Sequence, residues 1–418
     1  MNNYLRLNYK PDYKNDIIAV FYGESKLSLS ELAIKVAEES SIGTWTKITT
    51  LSPKTFEKLA GRIFYVNSKT GVFKIAYPLA LFEPKNIPQL LSSIGGNVFS
   101  MKAVENLRLE DIEFPQKYIN GFPGPKWGIA GIRKMLGVYN RPLVGCIMKP
   151  KVGLNSEQNA KLAAEVFTNG VDIIKDDENL TDLSFNRFED RVIKVLKFKK
   201  QVEKQTKEKK VYVFNVTAPV EIMLKRAEFV KKMGGHCVMI DIVSAGWAAV
   251  QSLRNRNLGL IIHGHRAGHS TFTKNKKHGI SMLVLANLAR LAGIDQLHTG
   301  TVVGKMEGSE KEVLGINELL KEDWEGFNKL RENWSGLKSV FPIASGGLHP
   351  GLTSKLVKIL GQDVIINFGG GIHGHPQGSA AGARAARQAV EATIKKIPLK
   401  VYAQKHQELK QALDYWKV

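Results

Sequence analysis

The stretch that decides the fold covers residues 170–178 and reads Gly-Val-Asp-Ile-Ile-Lys-Asp-Asp-Glu. Its apolar part predicts a buried strand, which ends in one lysine and three acids. Side chains alternate along a strand, so Lys175 and Asp177 point the same way, whereas Glu178 lies just past the strand end. Carboxylates this close repel each other unless a cation lies among them. Their oxygens suit a hard divalent ion, and the stretch therefore predicts a Mg2+ site.

This strand belongs to a regular series that begins near residue 142. Apolar runs alternate with segments of helical periodicity, such as 156–168, 219–232, 278–291 and 380–394. The runs are continuously apolar, which is typical of strands buried on both faces. Eight such units favour a (β/α)8 TIM barrel over an open doubly wound sheet. The predicted strands are 143–148, 171–174, 211–216, 237–243, 260–263, 295–298, 340–344 and 364–368.

The residues before the barrel predict a small α+β domain of the ferredoxin-like kind. Strand-like runs occur at 17–22, 61–66 and 71–78, and helical patterns occur at 28–39 and 86–94. The helix at 28–39 opens with a serine cap followed by a glutamate. The Phe-Pro-Gly-Pro loop at 122–125 marks a boundary. We therefore expect an N-terminal domain over residues 1–124 and a catalytic barrel over 125–418.

Composition places the chain among ordinary globular proteins. Of its 418 residues, 43% are hydrophobic and 24% are charged. No apolar run reaches the length of a membrane span, and the first residues lack the apolar region of a signal peptide. Cys146 and Cys237 both lie in apolar runs, which predicts buried thiols in a reducing compartment. We expect a cytoplasmic protein without a membrane partner.

The formal net charge of +21 is compatible with nucleic-acid binding. The excess is mostly lysine on helical segments, densest at 194–200, 204–210 and 274–277. No cluster is interleaved with aromatic residues, as a base-stacking surface would be. A solvated lysine face is the simpler interpretation, and a basic field also attracts a phosphorylated small molecule. We expect no nucleic-acid partner.

Polar and glycine-rich residues follow six of the eight predicted strands, at the barrel end where such enzymes carry their chemistry. In order of the strands they are Lys149 and Lys151; Lys175, Asp177 and Glu178; His263, His265, Arg266 and His269; His298 with the run from Thr299 to Lys305; Ser345, Gly346 and Gly347; and Gly369, Gly370 and Gly371. A lone histidine usually packs, a lone lysine is usually a surface cation, and a Gly-Gly pair is usually a turn. These single-residue explanations do not account for six strand ends that all carry such residues.

The chemistry of these strand ends indicates a doubly phosphorylated substrate. Glycine turns after the last two strands let backbone N–H groups approach one phosphate. Arg266 and His298 suit a second phosphate through charge-assisted hydrogen bonds. Lys149, Lys151 and His265 lie between the two, beside the metal cluster, where acid–base work on a sugar backbone would occur.

The motifs resemble the large chain of ribulose-1,5-bisphosphate carboxylase/oxygenase (RuBisCO) over nearly the whole length. They include Glu-Ser-Ser-Ile-Gly-Thr-Trp at 39–45, Gly-Asn-Val-Phe at 96–99, Lys-Pro-Lys at 149–151 and the stretch 170–178. Further along are His-Gly-His-Arg at 263–266, Gly-Thr-Val-Val-Gly-Lys at 300–305, Ser-Gly-Gly at 345–347 and Gly-Gly-Gly at 369–371. The short N-terminus and the runs at 345–350 and 371–376 resemble archaeal-type form III enzymes.

The resemblance implies that Lys175 reacts with CO2 to form a carbamate. A free lysine has a pKa near ~10.4, so the site must favour the neutral amine. The carbamate, Asp177 and Glu178 would then bind Mg2+, which favours enediolate formation from ribulose 1,5-bisphosphate. Carboxylation gives two molecules of 3-phosphoglycerate, and O2 is a competing substrate.

The resemblance also implies further roles. Lys149 protonates the final carbanion with support from Lys151, and His265 handles protons at C3. Lys305, on a mobile loop, closes over the site and stabilises the incoming carboxylate. One phosphate site would comprise Thr44, Trp45, Lys305, Gly346, Gly347, Gly369 and Gly370; the other would comprise Arg266, His298 and Ser345.

The resemblance places two N-terminal residues in the site of a neighbouring subunit. Glu39 would meet the loop lysine, and Asn97 would meet the substrate near the metal. A homodimer with two shared sites is then the minimal active unit, with further assembly of dimers left open and no small subunit expected. Form III likeness favours a role in AMP and nucleotide salvage over a Calvin-type cycle.

Some features depart from the pattern or stay open. Ile147 stands where plant enzymes carry threonine, and an apolar residue at this position is common outside the plant type. His373 and His375 have no assigned role, and packing is the simpler interpretation for both. A RuBisCO-like enolase or isomerase of phosphorylated sugars is the main alternative, although such proteins typically lose several of these residues. A basic nucleic-acid-binding barrel is the remote one.

Overall fold

The computed structural model describes residues 4–46, 48–304, 310–325, 330–334 and 336–418. The chain divides into two compact units. Unit 1 comprises residues 1–123, 268–292 and 322–337, and unit 2 comprises 124–267, 293–321 and 338–418. The first break falls in the predicted boundary loop, but two later segments cluster with unit 1. A domain division at residue 124 therefore stays a prediction.

Strands and helices alternate through most of the described chain. The strands are β1 (Asp16–Glu24), β2 (Arg62–Asn67), β3 (Val72–Pro78), β4 (Asn106–Glu113), β5 (Leu143–Ile147), β6 (Ile173–Lys175), β7 (Val211–Asn215), β8 (Cys237–Asp241), β9 (Ile261–His265), β10 (Gly279–Ile280), β11 (Gln296–His298), β12 (Trp324–Glu325), β13 (Arg331–Glu332), β14 (Phe341–Ser345) and β15 (Ile365–Phe368). The helices are α1 (Leu29–Ser40), α2 (Pro53–Leu59), α3 (Ile87–Ile94), α4 (Gln116–Ile119), α5 (Gly128–Leu136), α6 (Ser156–Thr168), α7 (Phe188–Thr206), α8 (Val220–Lys232), α9 (Gly246–Asn255), α10 (Ser270–Thr273), α11 (Met282–Ala292), α12 (Glu310–Lys321), α13 (Thr353–Leu360), α14 (Gly370–His373), α15 (Gly378–Ile394), α16 (Leu399–Ala403) and α17 (Gln407–Tyr415).

Unit 1 is built on a sheet in the order β10-β4-β1-β3-β2. The long strands pair antiparallel, and β10 adds a short parallel pair to β4. Helix α1 begins where predicted because Ser28 accepts from the backbone N–H of Glu31 while the Glu31 carboxylate accepts from the N–H of Ser28. Its apolar face, which includes Leu32 and Val36, is fully buried.

Strand β4 was missed by the sequence prediction. Its leucines and isoleucine alternate with charged residues, a pattern that indicates a half-buried strand and that the sequence prediction did not use. Arg108, Asp111 and Glu113 are nevertheless buried. They are covered within unit 1, where Arg108 donates to the carbonyl of Thr273 at 3.2 Å and Asn287 donates to the carbonyl of Ile112 at 3.3 Å. The reason for the burial is therefore a distant segment of the chain.

Unit 2 contains a closed barrel of eight parallel strands in the order β11-β14-β15-β5-β6-β7-β8-β9. All eight predicted strands are present with small changes at their ends, and the predicted fold class is confirmed. The first residues of the strands form an apolar core, to which α5 adds Ile132 and Leu136. Polar residues concentrate at the opposite, C-terminal ends, so the barrel separates its stabilising end from its reactive end.

Other expectations are met within the described residues. Cys146 and Cys237 are buried free thiols. None of the described helices combines the length and apolar composition needed to cross a membrane.

The lysine-rich region around α7 differs from the wholly solvated face expected from the sequence, because Lys199 and Lys210 are buried. Lys199 pairs with Glu203 at 2.9 Å, and Lys210 donates to the carbonyl of Val171 at 2.8 Å.

Candidate active site

Lys175 is the last residue of β6 and is 1% exposed. Its Nζ donates to the carbonyl of Asp176 at 2.8 Å and lies 3.8 Å from Glu178 Oε2. Burial lowers the pKa of Lys175 although the negative charges of Glu178 and Asp177 oppose the shift. The site therefore favours the neutral, nucleophilic amine more than water does.

Two carboxylates lie beside this amine, and each faces a lysine from the loop after β5. Lys149 Nζ donates to Asp177 Oδ2 at 2.5 Å, and Lys151 Nζ lies 3.9 Å from Glu178 Oε1. Burial opposes ionisation of Asp177, but the Lys149 hydrogen bond and the nearby positive charges hold its pKa below the ordinary value. The structure thus brings together the five predicted residues of the first two strand ends.

The donor set was compared with what Mg2+ requires. Within the described ranges, no group of three or more His, Cys, Asp or Glu residues is placed to hold a metal ion. Asp177 and Glu178 supply carboxylate oxygens, which is the chemistry that Mg2+ takes from proteins, usually through one or two carboxylates. The residues therefore fit a magnesium site. A third ligand formed on Lys175 stays a prediction.

Asp176, the third acid of the stretch, points away from this cluster and is fully buried. Its carboxylate accepts from Tyr212 OH at 2.6 Å, from the backbone N–H of Asn215 at 3.0 Å and from Arg191 Nε at 3.2 Å. The Asn215 side chain in turn donates to the carbonyl of Glu178 at 3.0 Å. This network anchors the backbone that presents Asp177 and Glu178.

His265, at the end of β9, is held by a residue that the sequence analysis missed. Its Nδ1 lies 2.8 Å from Oδ1 of Asp241, which ends β8, and its Nε2 lies 3.7 Å from Glu178. Burial and the nearby Lys175 charge lower the pKa of His265 to about 3. Burial raises the pKa of Asp241 to about 6. Asp241 lies inside the predicted strand 237–243, and an acid within this apolar run was the available signal.

His298 and Ser345 are brought into contact, and two further residues join them. His298 Nδ1 lies 2.7 Å from Ser345 Oγ, and His298 Nε2 lies 2.8 Å from His263 Nε2. His263 Nδ1 lies 2.9 Å from Oε1 of Gln296, which the sequence analysis did not single out. Both ring nitrogens of His298 are engaged, so a phosphate contact would require one bond to be exchanged. The phosphate role of His298 stays a prediction.

Glycines make room for the groups predicted to bind phosphate. A Cβ atom at Gly300, where φ is +96°, would lie 2.7 Å from Arg266 Nη2. Burial lowers the pKa of Arg266 to about 10, although Glu312 opposes the shift. A Cβ atom at Gly369 would lie 3.5 Å from Lys149 Cε, which places this glycine turn beside the lysine. Arg266 therefore occupies space that any larger residue at position 300 would fill.

The structure describes the remaining predicted glycines but not the loop lysine. Gly346 and Gly347 have φ values of +120° and +72°, which few other residues adopt, and Gly370 begins α14. Lys305 lies outside the described residues. Its predicted closing role stays a prediction.

The predicted N-terminal residues lie in unit 1. Asn97 Nδ2 donates to Glu39 Oε1 at 3.1 Å, so these two predicted partners contact each other. Trp45 is 90% exposed, and Thr44 beside it is half-buried.

His373 and His375 have packing partners. His373 contacts Cys146 Sγ at 3.2 Å and Ser379 Oγ at 2.9 Å. His375 contacts the carbonyl of Glu408 at 3.0 Å and accepts from the backbone N–H of Gln377 at 3.1 Å. Both rings thus use both nitrogens within the protein, as the packing interpretation expects.

Fold and site together define a TIM-barrel enzyme with a buried lysine among carboxylates at the C-terminal rim. Models of the ribulose bisphosphate carboxylase large chain match residues 3–118 (N-terminal domain) and 128–416 (catalytic domain). The chain belongs to the ribulose bisphosphate carboxylase large-chain family.

Relatives of nearly equal length support this assignment. The chain is 48% identical to the ribulose bisphosphate carboxylase of Methanosarcina mazei over 99% of both chains. It is 47% identical to that of Methanocaldococcus jannaschii over 99% of this chain and 100% of the relative. These relatives fit the predicted archaeal form III type.

Solved structures agree with the sequence comparisons. The octameric enzyme of Pyrococcus horikoshii, crystallised with sulfate, superposes with a TM-score of 0.93 at 45% identity, covering 99% of this chain and 96% of that one. The dimeric archaeal enzyme of Hyperthermus butylicus gives 0.92 at 43% identity, covering 99% and 98%.

Proposed function

We propose that this chain catalyses Mg2+-dependent carboxylation, and competing oxygenation, of D-ribulose 1,5-bisphosphate, and that carboxylation yields two 3-phosphoglycerate. The observation that carries the proposal is the buried Lys175 amine, 3.8 Å from Glu178 and beside Asp177 at the rim of the barrel. Family membership supports the substrate and the reaction, because the relatives bear the name ribulose bisphosphate carboxylase.

Lys175 is proposed to become a carbamate before catalysis. The neutral Nζ adds to the carbon of CO2, an N–C bond forms, and one proton leaves the nitrogen. A group that was positive in water thereby becomes an oxygen anion. Burial assists the first step because it favours the neutral amine.

Asp177, Glu178 and the modified Lys175 would hold Mg2+, which supplies electrostatic stabilisation of the negative charge that develops on the substrate. Lys149 and Lys151 face these carboxylates at 2.5 and 3.9 Å, and a site that holds Mg2+ would leave both amines available to the substrate. Lys149 can then donate a proton to the product carbanion, with Lys151 in support.

His265 is proposed to move protons at C3 of the sugar. Its low pKa keeps the ring neutral, so one nitrogen is available as a proton acceptor. Asp241 fixes the ring through the 2.8 Å contact with Nδ1. Nε2 therefore faces the carboxylate cluster in which the substrate would lie.

The two phosphates are proposed to bind at opposite sides of the rim. Arg266 supplies the charge on one side, with Ser345 and His298 near it. The backbone N–H groups of the glycine turns supply the other side, namely Gly346, Gly347, Gly369 and Gly370, with Thr44, Trp45 and Lys305 as further predicted contacts. Phosphate groups at both ends hold the reacting carbons over the lysine–carboxylate centre.

A homodimer with shared sites is proposed as the active unit. Glu39 and Asn97 contact each other at the surface of unit 1 and Trp45 is exposed, so the residues that the resemblance assigns to a neighbouring site are open to another subunit. The relative from Hyperthermus butylicus is described as dimeric and that from Pyrococcus horikoshii as octameric. Further assembly of dimers, without a small subunit, is therefore compatible with the family.

A role in AMP and nucleotide salvage is proposed from the likeness to archaeal form III enzymes. The substrate would then derive from nucleotide ribose. A genomic neighbourhood with an AMP phosphorylase and a ribose-bisphosphate isomerase gene would support this placement, and neighbouring genes of a Calvin-type cycle would contradict it.

Incubation with ribulose 1,5-bisphosphate, Mg2+ and labelled bicarbonate tests the proposed reaction. Labelled 3-phosphoglycerate is the expected product. A folded dimer that makes none, while it enolises or isomerises a phosphorylated sugar, would overturn the carboxylase proposal in favour of a RuBisCO-like activity.

A further inference from the structure

A chain of hydrogen-bonded side chains crosses the rim from the barrel wall to Ser345. Gln296 Oε1 lies 2.9 Å from His263 Nδ1, the two histidines join through Nε2 at 2.8 Å, and His298 Nδ1 lies 2.7 Å from Ser345 Oγ. Gln296, His263 and His298 are 0%, 2% and 3% exposed. Water therefore has little access to the chain.

Each histidine of this chain is neutral, because burial places the pKa of His263 and His298 well below the ordinary value. A neutral imidazole has one N–H donor and one acceptor nitrogen. A hydrogen bond at one ring nitrogen therefore decides whether the other nitrogen donates or accepts. The donor at one end of this hydrogen-bonded series thus determines which atom donates at the other end.

The Gln296 end sets that direction. Its carbonyl oxygen accepts, so His263 Nδ1 carries the proton and His263 Nε2 accepts. His298 Nε2 then carries its proton and His298 Nδ1 accepts, which makes the Ser345 hydroxyl the donor to the ring. The lone pairs of Ser345 Oγ are then the part that remains for a ligand.

We propose that Gln296 and His263 are positioning residues that fix the tautomer of His298 and thereby make Ser345 a hydrogen-bond acceptor toward substrate. This inference rests on the proposed function, in which Ser345 lies near the phosphate that Arg266 holds. An acceptor oxygen repels phosphate oxygens, so the group that Ser345 selects is a protonated hydroxyl of the sugar backbone beside that phosphate, and the phosphate itself is left to Arg266.

The side-chain amide of Gln296 supports this role. Its Nε2 is buried and has no hydrogen-bond partner in the structure, so the amide makes its contact with His263 through the carbonyl alone. An unpaired buried N–H carries a cost that an apolar residue of similar size would avoid. The retained polar group therefore fits a function in directing His263.

Nitrogen-15 NMR of histidine-labelled, full-length protein without substrate measures the two tautomers. The expected pattern is Nδ1–H for His263 and Nε2–H for His298, and variants of each histidine assign the signals. The reverse pattern, with Nδ1–H on His298, would overturn the inference because Ser345 would then accept from the ring and donate to substrate.

Two variants test the control exerted by Gln296. Gln296→Met removes the acceptor and should mix the tautomers. With the two equally populated, KM for ribulose 1,5-bisphosphate should rise about twofold, because half of the molecules hold the competent tautomer. Gln296→Glu retains an acceptor without an N–H and should keep the tautomer of His298. Unchanged tautomers in the Gln296→Met protein would overturn the role of Gln296.

Asn317→Leu is the matched control. Asn317 is also a buried amide with one unpartnered atom. It donates to Thr299 Oγ1 and the carbonyl of Val313, which are not part of the series from Gln296 to Ser345. Its loss should leave both histidine signals in place. If Gln296→Met does not fold, the wild-type tautomers still decide the inference. A wild-type enzyme that makes no 3-phosphoglycerate refutes the proposed function alone, because the tautomers are read without turnover.

Discussion

At the scale of single residues, Lys175 joins burial to chemistry. A lysine with 1% exposure beside carboxylates is costly as a plain cation and as a plain amine. The proposed carbamylation would give it a charge that a divalent cation can balance. The local sequence predicted which residues meet here, because the alternation of side chains along the strand and the position of the strand end determine which of them face the site. The carboxylates alone predicted a metal site, whereas the ligand role of Lys175 came from the resemblance.

Replacing this lysine tests its role. Lys175→Met should leave the fold intact, because a buried amine is exchanged for an apolar chain of similar size. Carboxylation should fall by about a thousandfold or more, the size expected when several kcal/mol of metal stabilisation are lost. Radiometric assays after preincubation with CO2 and Mg2+ measure it. Lys161→Met, at a lysine that is 65% exposed, is the control, and CO2-dependent activation that survives in Lys175→Met would contradict the role.

Asp111 predicts a pH dependence of stability. Burial raises its pKa from 3.8 to about 7. Between these values the native state holds a proton that the unfolded state has lost, so the free energy of unfolding should fall as pH rises. The slope is at most about 1.4 kcal/mol per pH unit. Urea denaturation across this range should show a smaller slope for Asp111→Asn, and identical slopes would contradict the assignment.

Some site residues were not predictable from local sequence. Asp241 ends a strand, yet many strand-end acids only face water. Its significance appears once β8 and β9 pair and bring it within 2.8 Å of His265. Gln296 is similar, because only the register of β11 with β9 places it opposite His263. Such contacts depend on strand order, which no single stretch encodes.

At the scale of elements, hydrophobic pattern predicted the barrel well. Its strands are buried on both faces, so continuous apolar runs of strand length between helical segments indicated them. Strand β4 was missed although its alternation fits a half-buried strand, and the burial of its charges was not predictable because their partners are far away in sequence. The segments 268–292 and 322–337 were assigned to the barrel by order alone, although they cluster with unit 1.

The buried network around Asp176 predicts a large loss of stability when it is broken. Arg191→Met leaves the Asp176 carboxylate buried without its cation and should destabilise the protein by about 3–5 kcal/mol. Arg256→Met is matched in chemistry, but Arg256 is 57% exposed beside Glu228 and should cost about 1 kcal/mol or less. Chemical denaturation compares the two. Equal losses would contradict the role of the buried pair.

At the scale of the whole molecule, the shared site makes a prediction about mixed dimers. Glu39→Gln and Lys175→Met proteins should each be nearly inactive. If each site combines unit 2 of one subunit with unit 1 of the other, a mixed dimer has one intact site. Random reassembly should then recover about a quarter of wild-type activity.

The same mixture distinguishes the alternative arrangement. If each subunit supplied its own complete site, both sites of the mixed dimer would carry a substitution, and no activity would return. Mixing either variant with itself is the control. Size-exclusion chromatography checks that subunits have exchanged.

The central claim is that CO2 turns Lys175 into a ligand, and direct detection of that carbamate is its most direct test. Purified protein would be incubated with carbon-13-labelled CO2 and Mg2+, the carbamate trapped by chemical alkylation, and the peptide containing residues 170–178 mapped by mass spectrometry. The account predicts one labelled carboxyl group on Lys175, absent from Lys175→Met. Fully activated enzyme with an unmodified Lys175 would contradict it.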